Sequence, residues 1–210
     1  PEVSDSVNIV INTQAQVVAG PSQTICSSDG SVNLLGSISG GAGTVLWSSS
    51  GTGSFSPANT SSATAYVISA ADIFIGVLSF TLSSTNNGSC AKSVSTLAVV
   101  VKEKAKVNAG ADKTICSSQL QVPLQGTISG VTSSGTWSGN GSGTFSPNTT
   151  TASYSVSSAD IIQAGLMFVL TSDNNGVCPV VTDTMNVFIE TKPLITVRSD
   201  TSLCDKYSMI

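Results

Sequence analysis

An internal repeat of about 90 residues constrains this chain more than any other feature of its sequence. The ten residues 19–28, AGPSQTICSS, recur at 109–118 as AGADKTICSS. The agreement continues through the middle of the repeat at a spacing of 90 residues. After a two-residue deletion the spacing becomes 88, so that Cys90 corresponds to Cys178. A fixed period of this kind indicates a tandem array, and repeats of this length are large enough to bury a core of their own, unlike the short repeats of solenoids.

The same comparison accounts for both ends of the sequence. Residues 5–11 match 183–189, near the end of the second repeat, whereas 194–204 match 106–116, near its beginning. We therefore expect a segment of a longer protein, with two complete repeats between the last strand of a preceding repeat and the first strand of a following one. These four parts are predicted at residues 1–14, 15–102, 103–192 and 193–210.

The composition favours an extracellular surface with few charges. Charged residues make up 10% of the chain, against about 25% in ordinary domains, and Ser, Thr, Asn and Gly take their place. The net charge is −4 without a basic cluster, which argues against binding to nucleic acid or to anionic lipid. No apolar run approaches the roughly 18 residues that a membrane helix requires, so we expect no membrane insertion of this segment.

Apolar and polar residues alternate in most segments, which is the pattern of strands with one buried face. The Asn-Gly pairs at 87–88 and 175–176 indicate a short hairpin turn near the end of each repeat. Seven strands in each repeat predict an all-β fold of tandem immunoglobulin-like β-sandwiches arranged end to end. The predicted strands are 16–26, 32–38, 45–47, 53–55, 65–68, 77–83 and 94–101, and then 106–116, 122–128, 135–137, 143–145, 153–156, 166–171 and 182–189.

Three aromatic positions in each repeat are expected in the core. A tryptophan on the third strand is where such sandwiches bury a large aromatic side chain against the facing sheet; stacking on a sugar is the alternative role for it. The expected core residues are Trp47, Trp137, Tyr66, Tyr154, Phe55 and Phe145.

One helical turn is expected in each repeat before the sixth strand. Ser69 is followed three residues later by Asp72, and Ser157 by Asp160, which is the spacing of a capping box. We therefore interpret these two acids as helix caps rather than as catalytic groups.

Five cysteines in a chain with so few charges suggest disulfides and an oxidising compartment. One arrangement places a bond within each repeat, Cys26–Cys90 and Cys116–Cys178, and leaves the partner of Cys204 outside the sequence. Free thiols are a further alternative.

The predicted topology favours a different arrangement. Cys26 lies at one pole of its sandwich and Cys90 at the other, and a strand of eight residues separates the poles by about 25 Å. A disulfide requires Cα atoms within about 7 Å. A short linker would bring Cys26 close to Cys178 of the following repeat, so we favour an inter-repeat Cys26–Cys178 bond. Cys116 and Cys90 would then bond to repeats outside this sequence.

The sequence offers little for catalysis. The chain contains no His, which excludes His-based acid–base catalysis, Ser-His-Asp triads and most zinc sites. Asp29, Asp112 and Asp200 lie near the predicted linkers and carry the oxygen ligands that Ca²⁺ prefers, but the acids are too sparse for a caged site. We expect no enzyme activity, no metal and no cofactor.

The order of short motifs resembles a known family. AG-x-x-x-TIC at 109–116, GTW at 135–137, FSP at 145–147 and NG-x-C at 175–178 resemble the repeats of very large surface adhesins of Bacteroidetes, the gliding-motility adhesin SprB and its relatives. The resemblance covers both repeats and implies export by the type IX secretion system, display on the bacterial cell surface and a role in adhesion or gliding. Expected partners are neighbouring repeats of the same chain, surface glycans and other envelope proteins.

The same resemblance implies sites for O-glycosylation, because proteins of this phylum carry glycans on Ser or Thr between an Asp and an apolar residue. Ser6 and Thr184 fit this pattern on equivalent last strands. The first complete repeat has Ser95 in place of the acid and departs from it.

Three functions remain open from the sequence. The leading one is a structural stalk or filament segment of a surface adhesin. The alternatives are a module that binds glycan or protein through an end loop, and a non-catalytic accessory domain of a secreted enzyme. The loops that differ most between the repeats, 40–46, 130–136 and 58–64, carry no aromatic residue, which favours the stalk.

Overall fold

The computed structural model describes residues 1–41, 43–193 and 195–197, and it contains two successive β-sandwiches. The first is built from β1 (Gln16–Val18), β2 (Gln23–Cys26), a 3₁₀ turn (Ser27–Asp29), β3 (Ser31–Leu35), β4 (Ser37–Ser39), β5 (Thr44–Ser49), β6 (Ser54–Ser56), β7 (Ala63–Val67), α1 (Ala70–Ile75), β8 (Val77–Thr85) and β9 (Val94–Lys102). The second is built from β10 (Lys106–Asn108), β11 (Lys113–Cys116), β12 (Gln121–Gln125), β13 (Thr127–Ser129), β14 (Gly135–Gly139), β15 (Thr144–Ser146), β16 (Thr151–Ser155), α2 (Ser158–Gln163), β17 (Gly165–Ser172) and β18 (Thr182–Glu190).

Each sandwich combines a four-stranded and a three-stranded sheet. The first has the orders β2-β9-β8-β5 and β3-β7-β6, and the second has β11-β18-β17-β14 and β12-β16-β15. The short strands β1 and β10 pair with β4 and β13. β2 runs parallel to β9 and β11 runs parallel to β18, whereas the other strand pairs are antiparallel. The predicted all-β, tandem immunoglobulin-like fold is confirmed.

The first strand of each repeat changes sheets, which the sequence did not reveal. The predicted strand 16–26 is two strands, β1 and β2, and 106–116 is likewise β10 and β11. Gly20 and Gly110 lie at the crossings with φ values of +96° and +92°, a region that favours glycine. The prediction of one continuous strand is therefore wrong, because the left-handed glycine turns the chain from one sheet to the other.

A tryptophan and a tyrosine occupy the centre of each core. Trp47, Trp137, Tyr66 and Tyr154 are buried, and the indole N–H of Trp47 donates to the carbonyl of Ser62 at 3.2 Å. These rings are thus not available for stacking on a sugar. Phe55 and Phe145 are half-buried and pack against the edge of each core.

The hairpin near the end of each repeat is confirmed, since β8 pairs with β9 and β17 with β18. Its connection is longer than the predicted short turn, because β8 ends at Thr85 and β9 begins at Val94. Asn86 and Gly88 have positive φ values, and the backbone N–H of Cys90 donates to the carbonyl of Asn87 at 3.0 Å. Local turns thus make a compact loop that carries the cysteine.

The domain boundaries predicted from the sequence stay a prediction. Residues 1–14 are exposed and carry no strand in the structure. Their assignment to the last strand of a preceding repeat stays a prediction, since such a strand requires that repeat as its partner. Cys204 and Asp200 lie outside the described residues. Within the described part, no helix is long and apolar enough to cross a membrane.

We predict that Gly126→Ala destabilises the second sandwich. A Cβ at this position would lie 2.9 Å from Cζ2 of Trp137, so the buried indole would have to shift. Overpacking of this kind costs about 1–3 kcal/mol, measurable as a loss in the free energy of unfolding. Gly165→Ala is the matched control, because nothing lies within 4 Å of its Cβ. Equal stability of the two variants would contradict the close packing of Gly126 on the indole.

Candidate functional site at the junction of the repeats

A disulfide joins the two repeats. Cys26, the last residue of β2, is bonded to Cys178, which lies in the loop between β17 and β18. Their Cα atoms are 4.9 Å apart although 152 residues separate them in sequence. Both side chains are buried. The inter-repeat alternative is the one that the structure contains, and neither of these cysteines is left for a bond within its own repeat.

Local turns position both sulfur atoms. On the first repeat, the 3₁₀ turn begins directly after Cys26, and the carboxylate of Asp29 accepts a hydrogen bond from the Cys26 N–H at 2.9 Å. On the second repeat, the N–H of Cys178 donates to the carbonyl of Asn175 at 3.0 Å. The side-chain amide of Asn175 donates in turn to the carbonyl of Ser172 at 2.9 Å. Hydrogen bonds therefore hold Cys26 at the end of β2 and Cys178 within the loop between β17 and β18.

The linker, residues 103–105, contacts both repeats. The N–H of Lys104 donates to the hydroxyl of Ser27 in the first repeat at 2.9 Å. The carbonyl of Glu103 accepts a hydrogen bond from the N–H of Val131 in the second repeat at 2.8 Å. Ala105 is buried. The junction thus has two covalent connections, the linker and the disulfide, and one hydrogen bond between the linker and each repeat.

The linker contacts were not predicted from the sequence. Their signal was present, because Ser27 and Lys104 recur as Ser117 and Lys192 at the same positions of the second repeat. The N–H of Lys192 donates to the hydroxyl of Ser117 at 3.2 Å, so the recurrence reflects one repeated interaction.

The remaining cysteines of the described part are thiols. Cys90 is half-buried in the loop between β8 and β9, and Cys116 is exposed at the end of β11. The hydroxyl of Ser118 donates to the sulfur of Cys116 at 3.3 Å, and this hydrogen bond lowers the pKa of the Cys116 thiol.

The predicted glycosylation positions are both exposed. Ser6 lies in the segment before the first sandwich, and Thr184 lies on β18. The acid beside Thr184 has a structural role of its own, because Asp183 accepts a hydrogen bond from the N–H of Ala109 at 2.8 Å. In the first repeat the hydroxyl of Ser95 accepts the equivalent bond from Ala19 at 3.0 Å.

The acids considered for calcium serve the protein's own backbone. The carboxylate of Asp29 accepts a hydrogen bond from the N–H of Cys26, and that of Asp112 accepts one from the N–H of Asn186 at 2.7 Å. The bond from Asn186 lowers the pKa of Asp112. No group of three or more His, Cys, Asp or Glu side chains suited to a metal ion occurs among the described residues.

A buried carboxylate in each repeat is part of a hydrogen-bond network. Asp160 caps α2, because its carboxylate accepts a hydrogen bond from the N–H of Ser157 at 2.8 Å. The carboxylate also accepts hydrogen bonds from the N–H of Ser142 at 2.8 Å and from the hydroxyl of Tyr154 at 2.9 Å. Burial acts to raise the pKa of Asp160, but these bonds outweigh burial and hold the pKa below its ordinary value. Burial and the bond to Asp160 raise the pKa of Tyr154 to about 12. The predicted capping box is confirmed.

The equivalent network of the first repeat is built from Asp72, Tyr66 and Ser69. The oxygens of both carboxylates are used by capping and turn contacts, and they serve the fold rather than proton transfer to a substrate.

A shallow depression of about 550 Å³ lies on the second repeat beside the junction. It is lined by residues 128–134 and by Asn174. Its polar groups are hydroxyls, one amide and backbone, without a charged or aromatic side chain.

The comparisons with known proteins identify the fold. No protein-family model matches the chain, and no curated protein matches it. Among solved structures, Sidekick-1 immunoglobulin domains 1–4 match with a TM-score of 0.53 and 12% identity over 88% of this chain and 51% of that chain. Sidekick-1 immunoglobulin domains 1–5 match with a TM-score of 0.53 and 13% identity over 86% and 40%. The chain thus spans about half or less of these structures, and at this identity the similarity establishes the tandem immunoglobulin-like fold alone.

We predict that the Asp160 network stabilises the fold above about pH 4. The pKa of Asp160 is lower in the folded chain than the value of about 3.9 in an unfolded chain, so acidification protonates the unfolded state first. The stabilisation is present above that value and is lost as pH falls through the folded pKa. Asp160→Asn should lower the free energy of unfolding at pH 7 by about 2–4 kcal/mol and reduce its dependence on acid.

Chemical denaturation between pH 3 and pH 7 measures both effects. Asp173→Asn is the control, because the side chain of Asp173 makes no hydrogen bond in the described structure and its loss should change little. An Asp160→Asn variant with the stability and acid dependence of the control would contradict the role of the network.

Proposed function

We propose that this chain is a structural segment of a surface stalk or filament, in which immunoglobulin-like repeats are connected by inter-repeat disulfides and no catalysis takes place. The observation that carries the proposal is the Cys26–Cys178 bond. It adds a second covalent connection to a junction that already has a short linker.

The proposal follows from how linked domains move. Domains joined by a linker alone change their relative orientation by default, unless their interface is large. A hinge at the linker would have to separate the pole of the first repeat from the loop that carries Cys178. The disulfide prevents that separation, because its Cα atoms must stay within about 7 Å of each other. The expected result is a chain that resists bending at the junction.

The surface and the buried acids support a structural, non-catalytic role. The chain has few charges, its two tryptophans lie in the cores, and its buried acids cap backbone groups. The division into residues 1–14, 15–102, 103–192 and 193–210 belongs to the same proposal, with neighbouring repeats of the same chain as the principal partners.

The finer assignment rests on the resemblance to Bacteroidetes surface adhesins of the SprB type. In that assignment the chain is exported by the type IX secretion system, is displayed on the bacterial cell surface and contributes to adhesion or gliding. Glycans on Ser6 and Thr184 would be compatible with their exposed positions. Contacts with surface glycans and envelope proteins would occur elsewhere in the array or weakly along many repeats.

The depression at residues 128–134 supports a second candidate, a module that binds glycan or protein. Hydroxyl and amide groups would have to recognise such a ligand, since no aromatic ring lies there for stacking. Ser134→Ala, which removes a hydroxyl from this surface, should reduce binding in a glycan array if the depression is a binding site. Binding that is absent in both proteins would count against a glycan-binding site in the depression.

We predict that loss of the disulfide increases bending between the repeats. Small-angle X-ray scattering would compare the chain with a Cys26→Ala/Cys178→Ala variant, both in a Cys204→Ala background that limits links between molecules. The variant should show a wider distribution of maximum dimensions, because only the linker and its hydrogen bonds then restrain the junction.

A Cys90→Ala/Cys116→Ala variant in the same background is the matched control and should scatter like the parent chain. Circular dichroism would verify that all three proteins are folded. A variant without the disulfide that scatters like the parent would overturn the stiffening role.

A further inference from the structure

The loop that carries Cys90 contacts the segment before β1 in the same way as the loop that carries Cys178 contacts the end of β9. At the junction, the sulfur of Cys178 lies 3.5 Å from the carbonyl oxygen of Lys102. In the first repeat, the thiol of Cys90 donates to the carbonyl of Asn12 at 3.5 Å. Asn12 is the residue equivalent to Lys102, so both cysteines have the same position relative to the incoming chain.

The agreement extends to the neighbouring backbone. The N–H of Gly41 donates to the carbonyl of Thr13 at 3.0 Å, as the N–H of Val131 donates to the carbonyl of Glu103 at 2.8 Å. The first repeat therefore presents the receiving half of a junction, although the first repeat has no repeat before it in this structure.

The opposite pole of the second repeat presents the other half. Cys116 is the last residue of β11, just as Cys26 is the last residue of β2. The hydroxyl of Ser117 accepts a hydrogen bond from the N–H of Lys192, and the hydroxyl of Ser27 accepts the equivalent bond from Lys104. The difference lies in burial. Cys26 is buried in the junction, whereas Cys116 is exposed.

We propose that Cys90 and Cys116 are the two halves of further inter-repeat disulfides, each of which receives a repeat of this same type. Cys116 would bond to the cysteine of a following repeat that is equivalent to Cys178, and Cys90 to the cysteine of a preceding repeat that is equivalent to Cys26. This inference rests on the proposed function. It extends the disulfide connection from the junction between the two repeats to the outer end of each repeat. The two cysteines of any one repeat then serve two different junctions.

The chemistry of each bond balances with a disulfide oxidant such as oxidised glutathione. The thiolate of Cys116 attacks the oxidant, forms a mixed disulfide and releases one reduced glutathione. The thiol of the second cysteine then displaces the other, so two protein thiols are oxidised and one glutathione disulfide is reduced to two thiols. The Ser118 hydroxyl favours the thiolate of Cys116 because it lowers the pKa of that thiol.

The experiment adds one repeat to the chain. A three-repeat protein would consist of residues 1–190 followed by a second copy of residues 103–192 that carries Cys116→Ala. This arrangement keeps the linker in register and leaves a single Cys116 in the protein. After folding in a buffer of reduced and oxidised glutathione, non-reducing peptide mapping should find Cys116 linked to the Cys178 of the added copy. Cys116 should also lose its reaction with iodoacetamide.

The matched control carries Cys178→Ala in the added copy only, and there Cys116 should stay reactive. A folded three-repeat protein in which Cys116 remains a thiol, or bonds elsewhere, overturns the inference. If the added copy does not fold, a second protein tests the other pole: a copy of residues 15–102 that carries Cys90→Ala, followed by residues 13–190. There Cys26 of the added copy should bond to Cys90, and a Cys90 thiol in the folded protein overturns the inference.

The same peptide map separates this inference from the proposed function. An intact Cys26–Cys178 link with an unbonded Cys116 leaves the stiffened junction in place and removes only its extension to the poles. Loss of the Cys26–Cys178 link would instead remove the basis of both.

Discussion

The parallel pairing of β2 with β9 brings every component of the junction to one place. In this register Cys26 lies opposite Lys102, the residue at which β9 ends and the linker begins. The sulfur of Cys178 lies 3.5 Å from the carbonyl of the same lysine. The disulfide and the linker therefore leave the first repeat side by side. Without the change of sheets at Gly20, β2 would not run beside β9, and Cys26 would have no reason to lie near the linker.

The two sandwiches need little from each other for their own stability. Each has a separate core around one tryptophan and one tyrosine, and each caps its helix with a buried aspartate. Because each core is formed within its own repeat, the residues at the poles are free to serve the connection. The disulfide thus connects two units that each have their own core.

The strands and the helix caps could be predicted from the sequence, because each has a recognisable pattern of residues. Alternation of apolar residues identified the sheets, and the Ser-x-x-Asp spacing at Ser69 and Ser157 identified the helix caps. The change of sheets was missed because a glycine in a strand pattern does not show its φ. The hydrogen bond from the N–H of Ala19 is also hard to recognise in the sequence. Its acceptor is Ser95 in the first repeat, whereas the acceptor of the equivalent bond in the second repeat is Asp183. The linker contacts of Ser27 were missed because the recurrence of a serine and a lysine in both repeats does not show which atoms of the two residues meet.

Peptide mapping of the natively folded chain without reduction tests the central claim most directly. The account predicts one linked pair of peptides that contain Cys26 and Cys178, which disappears on reduction. A linked pair that contains Cys26 and Cys90 would contradict it, because those residues can meet only if the first strand is placed differently. The repeats would then be joined by the linker alone.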